Sequence, residues 1–505
     1  MKVERVLRWP RTVSAPALLN ALDEAGYRVR RTGGRERTEV HWDTQDGALR
    51  AAGATLVFHV EAGRWALATP QRNVVEAGDA DAPPPGGRLA ADLAAATGGR
   101  PVIPLLTGCV DEEVFKAAFT GAPAVQLALR RWAFTSPLRS GARARCALVT
   151  LSGEAAAVQR ASGTLQGRTR CRRVDEPFLD LATGALRLSA PGREPPQGLR
   201  IRPADTTAEA FAKLLARQGW MIAANAPGVA ADLDPEFVHD LRVAARRARG
   251  VLRLARLAGV THAAELSIEL SWLAHECGAL RDLDVFLAEV AAALAAVETP
   301  RGVREAILLT LHGQRDAALT TARVTVASPR LRELLAILRR PPSPVFEGAP
   351  GALPVGDAAA LLVSAEVRRL ARWRRHDAAG LTDGELHRVR IAAKRARYAL
   401  EFFAPVLPTD TRKVVRGLVR VQDTLGAHQD AAVAVQRLEA LAKAMQDSGA
   451  SLETLLALGG LRHSAMERQN AQRVEFAARA PRLWRRLRAL RPRMTAQADP
   501  AGTTP

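Results

Sequence analysis

Cysteine, aromatic residues and long apolar runs are all scarce in this 505-residue chain. The four cysteines (Cys109, Cys146, Cys171 and Cys277) form no C-x-x-C pair and no regular spacing, which argues against a disulfide framework or a cysteine-based zinc site. A reduced chain with inert thiols is expected. No window approaches ~18 uninterrupted apolar residues, and the opening MKVERVLRWPRT has no apolar signal core. The expectation is therefore a soluble cytoplasmic protein with no membrane partner. H-E-x-x-H, a P-loop and any nucleophile–base pair are also missing from the C-terminal region, so no catalytic residue, metal or cofactor is expected there. Aromatics are 4% of the chain and do not interleave with its basic segments; Tyr398 and Trp373 stand alone. That disfavours a stacking platform for nucleic acid.

Positive charge, by contrast, is abundant. Lys and Arg number 72 against 52 Asp and Glu, giving a net charge of +20 and an expected anionic partner. Residues 1–200 hold 28 basic against 20 acidic side chains, and the remainder 44 against 32, so net charge does not locate the site. Pattern does. VHDLRVAARRARGVLRL from Val238 and LHRVRIAAKRARYALEF from Leu386 lie 148 residues apart and repeat the same order of residue types. His239, Arg242, Arg246 and Arg249 in the first copy correspond to His387, Arg390, Lys394 and Arg397 in the second. At about 100° per residue these positions fall within roughly 80° of one helix face. Like charges at such spacing repel, so two copies of the stripe point to a shared polyanion. Arg247 and Arg395 sit at an angle to the stripes. They are counted with the binding residues, with pairing to Asp282 or Asp430 as the alternative.

The repeat runs on beyond these helices. CGALRDLD (Cys277–Asp284) meets LGAHQD (Leu425–Asp430), keeping Gly278/Gly426 and Asp282/Asp430 at the same offset. SPRLRELL from Ser328 is echoed by APRLWRRL from Ala480, drifted by four residues. The C-terminal region thus reads as two copies of one multi-helix unit. Asp282, Asp284 and Asp430 are expected to orient stripe arginines through charge-assisted hydrogen bonds.

These residues resemble the CHAD domain, whose pattern is H-x-x-R-x-x-x-[RK]-R-x-R followed by R-D-x-D or H-Q-D, all duplicated. Here Arg281-Asp282-Leu283-Asp284 and His428-Gln429-Asp430 supply the second motif. The resemblance covers about residues 232–493. It implies an all-α fold of two four-helix bundles related by a pseudo-twofold axis, with basic stripes lining a groove for inorganic polyphosphate. Association with polyphosphate granules is the matching expectation for location.

Residues 1–200 read as α+β. Apolar runs at 54–60 and 144–151 sit between turns and favour strands, residues 54–69 suggest a hairpin, and 78–88 a loop. The stretch from His41 to Pro70 resembles the CYTH domain of triphosphate tunnel enzymes, which implies an antiparallel β-tunnel binding triphosphate and a divalent metal. Its functional positions are degenerate. The E-x-E-x-K motif falls on Glu4, Val6 and Arg8, leaving Glu4 as the one candidate metal carboxylate there. The two arginines of L-R-x-R fall on Val57 and His59, the T-x-K lysine on Pro70, and a later E-x-E strand on Phe178 and Asp180. A lone carboxylate anchors Mg²⁺ poorly, and phosphoryl transfer without cations is slow. Little or no triphosphatase activity is expected.

The resulting expectation is a multidomain chain: a degenerate CYTH-like β-tunnel over 1–200, a connecting helix over 201–231, two CHAD halves over 232–345 and 346–493, and a disordered tail over 494–505. Inorganic polyphosphate is the expected partner, with an inorganic triphosphatase in the tunnel as the alternative function.

Overall fold

The computed structural model describes residues 2–10, 13–83, 86–139, 141–188, 195–259, 264–297, 299–340, 349–407 and 411–495. The chain divides into two compact units, residues 1–194 with 227–237, and residues 195–226 with 238–505.

In the first unit, period-two alternation builds long strands. β1 (Lys2–Arg8), β2 (Tyr27–Thr44), β3 (Thr55–His59), β4 (Arg64–Ala68), β5 (Asn73–Ala77), β6 (Val102–Phe119), β7 (Val125–Thr135), β8 (Arg143–Glu154) and β9 (Arg172–Arg173) form one sheet. Its nine strands run in the order β5-β4-β3-β2-β6-β7-β8-β1-β9, each neighbouring pair antiparallel. The antiparallel N-terminal sheet is the one expected. So is the hairpin, which pairs Thr55 with Ala68 and His59 with Arg64. Its turn closes through Gly63 at φ +55°, a left-handed conformation that suits glycine.

Helices α1 (Ala15–Asp23), α2 (Ala48–Ala51), α3 (Gly87–Thr97), α4 (Ala155–Thr169) and α5 (Phe178–Ala185) accompany the sheet. Leu22 of α1 and Val158 and Leu165 of α4 pack against Leu7, Phe115, Leu127 and Val149 of the strands. A second cluster joins Trp42, Leu56, Phe58, Trp65 and Leu67 to Leu89 of α3. The segment expected as a late E-x-E strand is the helix α5. Buried Leu181 and Ala182 follow Phe178 at helical rather than alternate spacing, and Pro177 precedes the first turn.

The Asp43-Thr44 pair bends the chain out of β2. Asp43 Oδ1 accepts from the amides of Thr44 (2.7 Å) and Leu49 (2.9 Å), Oδ2 from that of Arg50 (3.2 Å), and Thr44 Oγ1 from that of Ala48 (2.7 Å). Burial raises the Asp43 carboxyl against the pull of these bonds.

The second unit is nearly all helical, as expected. It comprises most of α6 (Thr207–Ala231) and of α7 (Pro235–Leu257), whose facing ends count with the first unit, together with α8 (Ala264–Glu276), α9 (Gly278–Ala296), α10 (Arg301–Ala327), α11 (Pro329–Arg339), α12 (Val355–Ala371), α13 (Asp383–Phe403), α14 (Arg412–Asp447) and α15 (Leu452–Thr495). Sequence signals set several starts. Ser328 caps α11 ahead of Pro329, and Thr382 with Glu385 forms a capping box on α13. α7 and α13 bury the small residues Ala244, Ala245 and Ala248, and Ala392, Ala393 and Ala396.

One core draws on both sequence copies. Phe286 and Val290 of α9, Ile307 and Leu311 of α10, Leu438 and Leu441 of α14, and Leu458 and Ala465 of α15 bury together. α15 continues to Thr495, so helix persists one residue past the start of the expected tail; residues 496–505 lie outside the described residues.

Replacing Asp43 by Ala should speed hydrogen exchange at the Leu49 and Arg50 amides by about tenfold, the effect of ~1–2 kcal/mol of lost capping, with Asp43→Asn recovering part. Unchanged protection would show that the carboxylate does not hold this turn.

Candidate functional site

The second unit holds a cleft of about 930 Å³ into which both basic stripes project. α7 contributes His239, Arg242 and Arg246, and α13 contributes Arg390, Lys394 and Arg397. Polar and small apolar residues of α9, α14 and α15 complete most of the lining, which holds eight Lys/Arg side chains against four Asp/Glu.

The remaining predicted residues lie elsewhere. Arg249 is exposed and outside the lining. His387 is exposed too, with Nδ1 3.0 Å from Oε1 of Gln429, which does line the cleft. Arg247 turns toward α13. It pairs with Glu401 at 2.6 Å and stacks over Tyr398 and Phe402 at 5.0 and 4.9 Å. Glu401 is thus its carboxylate partner, in place of the Asp282 or Asp430 expected. Arg395 lies in the field of Arg253 and Glu366, which pair with each other at 2.7 Å, and burial lowers its pKa.

The duplicated glycines and aspartates explain how the stripes are held. Arg242 donates through Nη1 to the carbonyl of Gly278 and to Asp282 at 3.1 Å. A Cβ on Gly278 would come within 3.4 Å of that Nη1, and one on Gly426 within 4.0 Å of Nη2 of Arg390. Both distances are ordinary van der Waals contact, so Arg242 and Arg390 pass beside these glycines without depending on the missing side chain. Asp282 also stands 3.5 Å from Arg437, which donates to its carbonyl at 2.6 Å. Asp430 lines the cleft, whereas Asp284 is buried on the opposite side against Arg315 at 2.7 Å. His428 is buried and faces Asp383 at 3.3 Å rather than the cleft.

Charge in the cleft is poorly matched. Among the described residues, no carboxylate lies within 4 Å of Arg246, Arg390 or Lys394, and the buried Nε atoms of Arg246 and Arg397 have no hydrogen-bond partner. Burial, reinforced by Arg242, Arg390 and Arg397, lowers the Arg246 guanidinium from its ordinary range. Burial together with Arg246, Arg390 and Arg397 holds the Lys394 ammonium down to about 7, with Asp430 opposing. Like charges crowded out of water are costly, and a bound anion would relieve that cost.

The sequence reading missed Arg437 and Arg468 of the lining. Arg437 was accessible, because it lies seven residues beyond Asp430 on the same helix face. Arg468 carries no repeat signal, since Thr320 stands at the corresponding offset.

The first unit has its own charged face. β2 places Arg35, Arg37, Glu39 and His41 at alternate positions; β3 adds His59, β6 Glu112 and β7 Arg130. Arg37 bridges Glu39 (2.6 Å) and Glu112 (2.8 Å), Arg130 pairs with Glu112 (2.5 Å), and His41 and His59 lie 3.2 and 3.7 Å from Glu39. Burial opposes ionisation of Glu39, yet His41 and Arg37 hold its carboxyl down to about 2. Glu112 is likewise lowered by Arg130 and Arg37 against its burial. Phe178 covers this face, with ring centroids 4.9 Å from His41 and 4.7 Å from Trp132. His59, at an expected arginine position, thus joins an internally neutralised network. Glu4 is exposed on β1, and no group of three His, Cys, Asp or Glu side chains suited to a metal occurs among the described residues. The residues at 35, 37, 39 and 41 form a legible alternation that the motif comparison passed over.

Residues 213–439 match the family model of the CHAD domain. Similar solved structures include a CHAD domain from the plant Ricinus communis, at 26% identity and TM-score 0.45, covering 59% of this chain and 95% of that one. PptA from Streptomyces chartreusis aligns at 21% identity and TM-score 0.44, covering 56% and 100%. A Hippeastrum protein described as a candidate adenylyl cyclase with dominant triphosphatase activity aligns at 15% identity and TM-score 0.22, covering 36% and 96%. No curated protein matches the chain. Among the described residues, no helix is long and apolar enough to cross a membrane.

Lys394 gives the ligand-free protein a distinctive pH response. Its ammonium titrates near 7 in the fold and above 10 when unfolded, so between those values the unfolded chain binds more protons. Stability of the second unit should therefore rise with pH across that window, and Lys394→Met should flatten the rise and stabilise the protein below pH 7. A Lys394→Met variant with an unaltered denaturation profile from pH 6 to 9 would remove the assigned strain.

Proposed function

We propose that this chain, which carries a CHAD domain over residues 213–439, binds inorganic polyphosphate in the cleft between α7 and α13. One observation carries the reading: five Lys/Arg side chains and His239, drawn from two sequence copies, project into one cleft whose lining has twice as many basic as acidic groups. A thin linear polyanion can enter such a cleft and meet both stripes at once, so that each contact raises the effective concentration for the next. Among the described residues, the cleft lining offers only Tyr398 and Phe286 as aromatics, too few for the stacking platform that single-stranded nucleic acid uses. Arg242 is held by the Gly278 carbonyl and Asp282 before the ligand arrives, which limits the ordering cost of binding. In the cell this activity would place the protein on cytoplasmic polyphosphate granules.

Ligand and proton are linked. Bound phosphates favour the Lys394 ammonium, so affinity should fall as pH rises through about 7, opposite in sign to the stability of the free protein. Titration calorimetry with long-chain polyphosphate at about 0.15 M salt should show tight binding that duplex DNA does not displace, weakening by up to roughly tenfold per pH unit above 7. Raising salt from 50 to 200 mM should weaken it by about 300-fold if some six phosphates are contacted at the single-strand slope. Arg246→Glu combined with Lys394→Glu should abolish binding in a folded protein; retained affinity would sink the cleft reading.

A triphosphatase in the first unit is the second reading, favoured by buried Glu39 and Glu112 with half-buried Arg37 and Arg130. Its charges already neutralise one another, so tripolyphosphate should stay intact with Mg²⁺ or Mn²⁺. Phosphate release that is lost on Glu112→Gln would establish the enzyme instead.

A further inference from the structure

The cleft does not exhaust the basic surface of the second unit. On α15, Arg468 and Gln472 line the cleft, and Arg479 and Arg486 follow at spacings of seven residues each. At about 100° per residue, all four lie within roughly 40° of one helix face. α14 behaves similarly. Asp423 lines the cleft, and Arg420, Arg416 and Lys413 precede it by three, seven and ten residues, along the side of the helix adjoining the cleft face. The two rows meet, because Arg479 donates to the carbonyl of Arg420 and to Oγ1 of Thr424, and Arg486 to the carbonyl of Lys413. A Cβ at Gly417 would stand 3.0 Å from Nη1 of Arg486, so this glycine lets the guanidinium lie against α14.

Lys413, Arg416, Arg420 and Arg486 are exposed, and among the described residues none has a carboxylate within 4 Å; Arg479 alone is paired, with Glu475. A surface helix pair gains nothing from such a row by itself. Arg479 and Arg486 are nevertheless anchored by backbone carbonyls, which fixes their direction, and Arg486 is exposed and carries no carboxylate partner.

We infer that the α14–α15 seam is a second anion-binding segment, continuous with the cleft, that takes the part of a linear polyphosphate too long for the cleft itself. The inference rests on the polyphosphate reading of the cleft and adds a dependence on chain length. From Lys413 to Asp430 the rows span ~25 Å at the rise of an α-helix. A three-phosphate anion fits within the cleft and misses the seam. A long polymer threads the cleft and lies along the seam, where each cation meets a phosphate of the same chain at high effective concentration.

The test uses the full chain and the triple variant Arg416→Gln/Arg420→Gln/Arg486→Gln, whose side chains are exposed and whose fold is checked by circular dichroism. Each protein is titrated with tripolyphosphate and with polyphosphate of over a hundred residues, at several salt concentrations. The expected result is a loss of tenfold or more for the long polymer, a salt slope shallower by about 2 for three lost single-strand contacts, and unchanged tripolyphosphate affinity. Equal losses for both ligands would make the seam a remote contributor to the cleft's field, and no loss for either would make it a solvated surface; both overturn the inference. If the unmodified chain binds neither ligand, the cleft reading itself fails and takes the seam with it. Lys394→Glu separates the two segments, because it should weaken tripolyphosphate and long polymer alike.

Discussion

Repulsion among cations held out of water is the constraint on which the second unit turns. Arg246, Arg390, Lys394 and Arg397 approach one another in the cleft with too few carboxylates to balance them. Nothing local sustains that arrangement. It persists because the alanine-rich faces of α7 and α13 are buried behind the stripes, where apolar burial supplies the favourable term. The fold holds open a field that an anion would quench. Stability and binding then pull against each other at single residues, Lys394 foremost, as is usual where a protein maintains a strained site.

The first unit answers the same problem in the opposite way. Its inner face gathers arginines, carboxylates and histidines at similar density, but Arg37 and Arg130 are spent on Glu39 and Glu112, and Phe178 lies over the result. A largely enclosed set whose members satisfy one another contributes rigidity and leaves little charge for a ligand. The contrast between the two units lies in how much of their charge is already paired.

Much of this was legible in the sequence, and the limits were physical. Stripe periodicity and the 148-residue offset located the two cleft helices, because helical spacing translates directly into a face. Offset alone could not say which cations reach the cleft. Arg247 and Arg249 belong to the same motif as Arg246, yet one turns to Glu401 and the other to solvent, a choice made by neighbouring helices. Phe178 was read against a strand motif, and its helix follows from the spacing of Leu181 and Ala182. The charged alternation on β2 was visible, but its pairing with Glu112 and Arg130 depends on registers set across three strands.

The shared core has a further meaning. Two helices of each copy bury against one another, in the manner of an isologous interface between identical subunits. Here that interface lies within one chain. Half of the molecule on its own would present the apolar rows of α9 and α10 to water and would carry only one wall of the cleft. The tether between the copies thus makes a symmetric association independent of concentration, and it frees each wall to diverge. Arg246 facing Lys394, and Arg468 without a counterpart, are marks of that freedom.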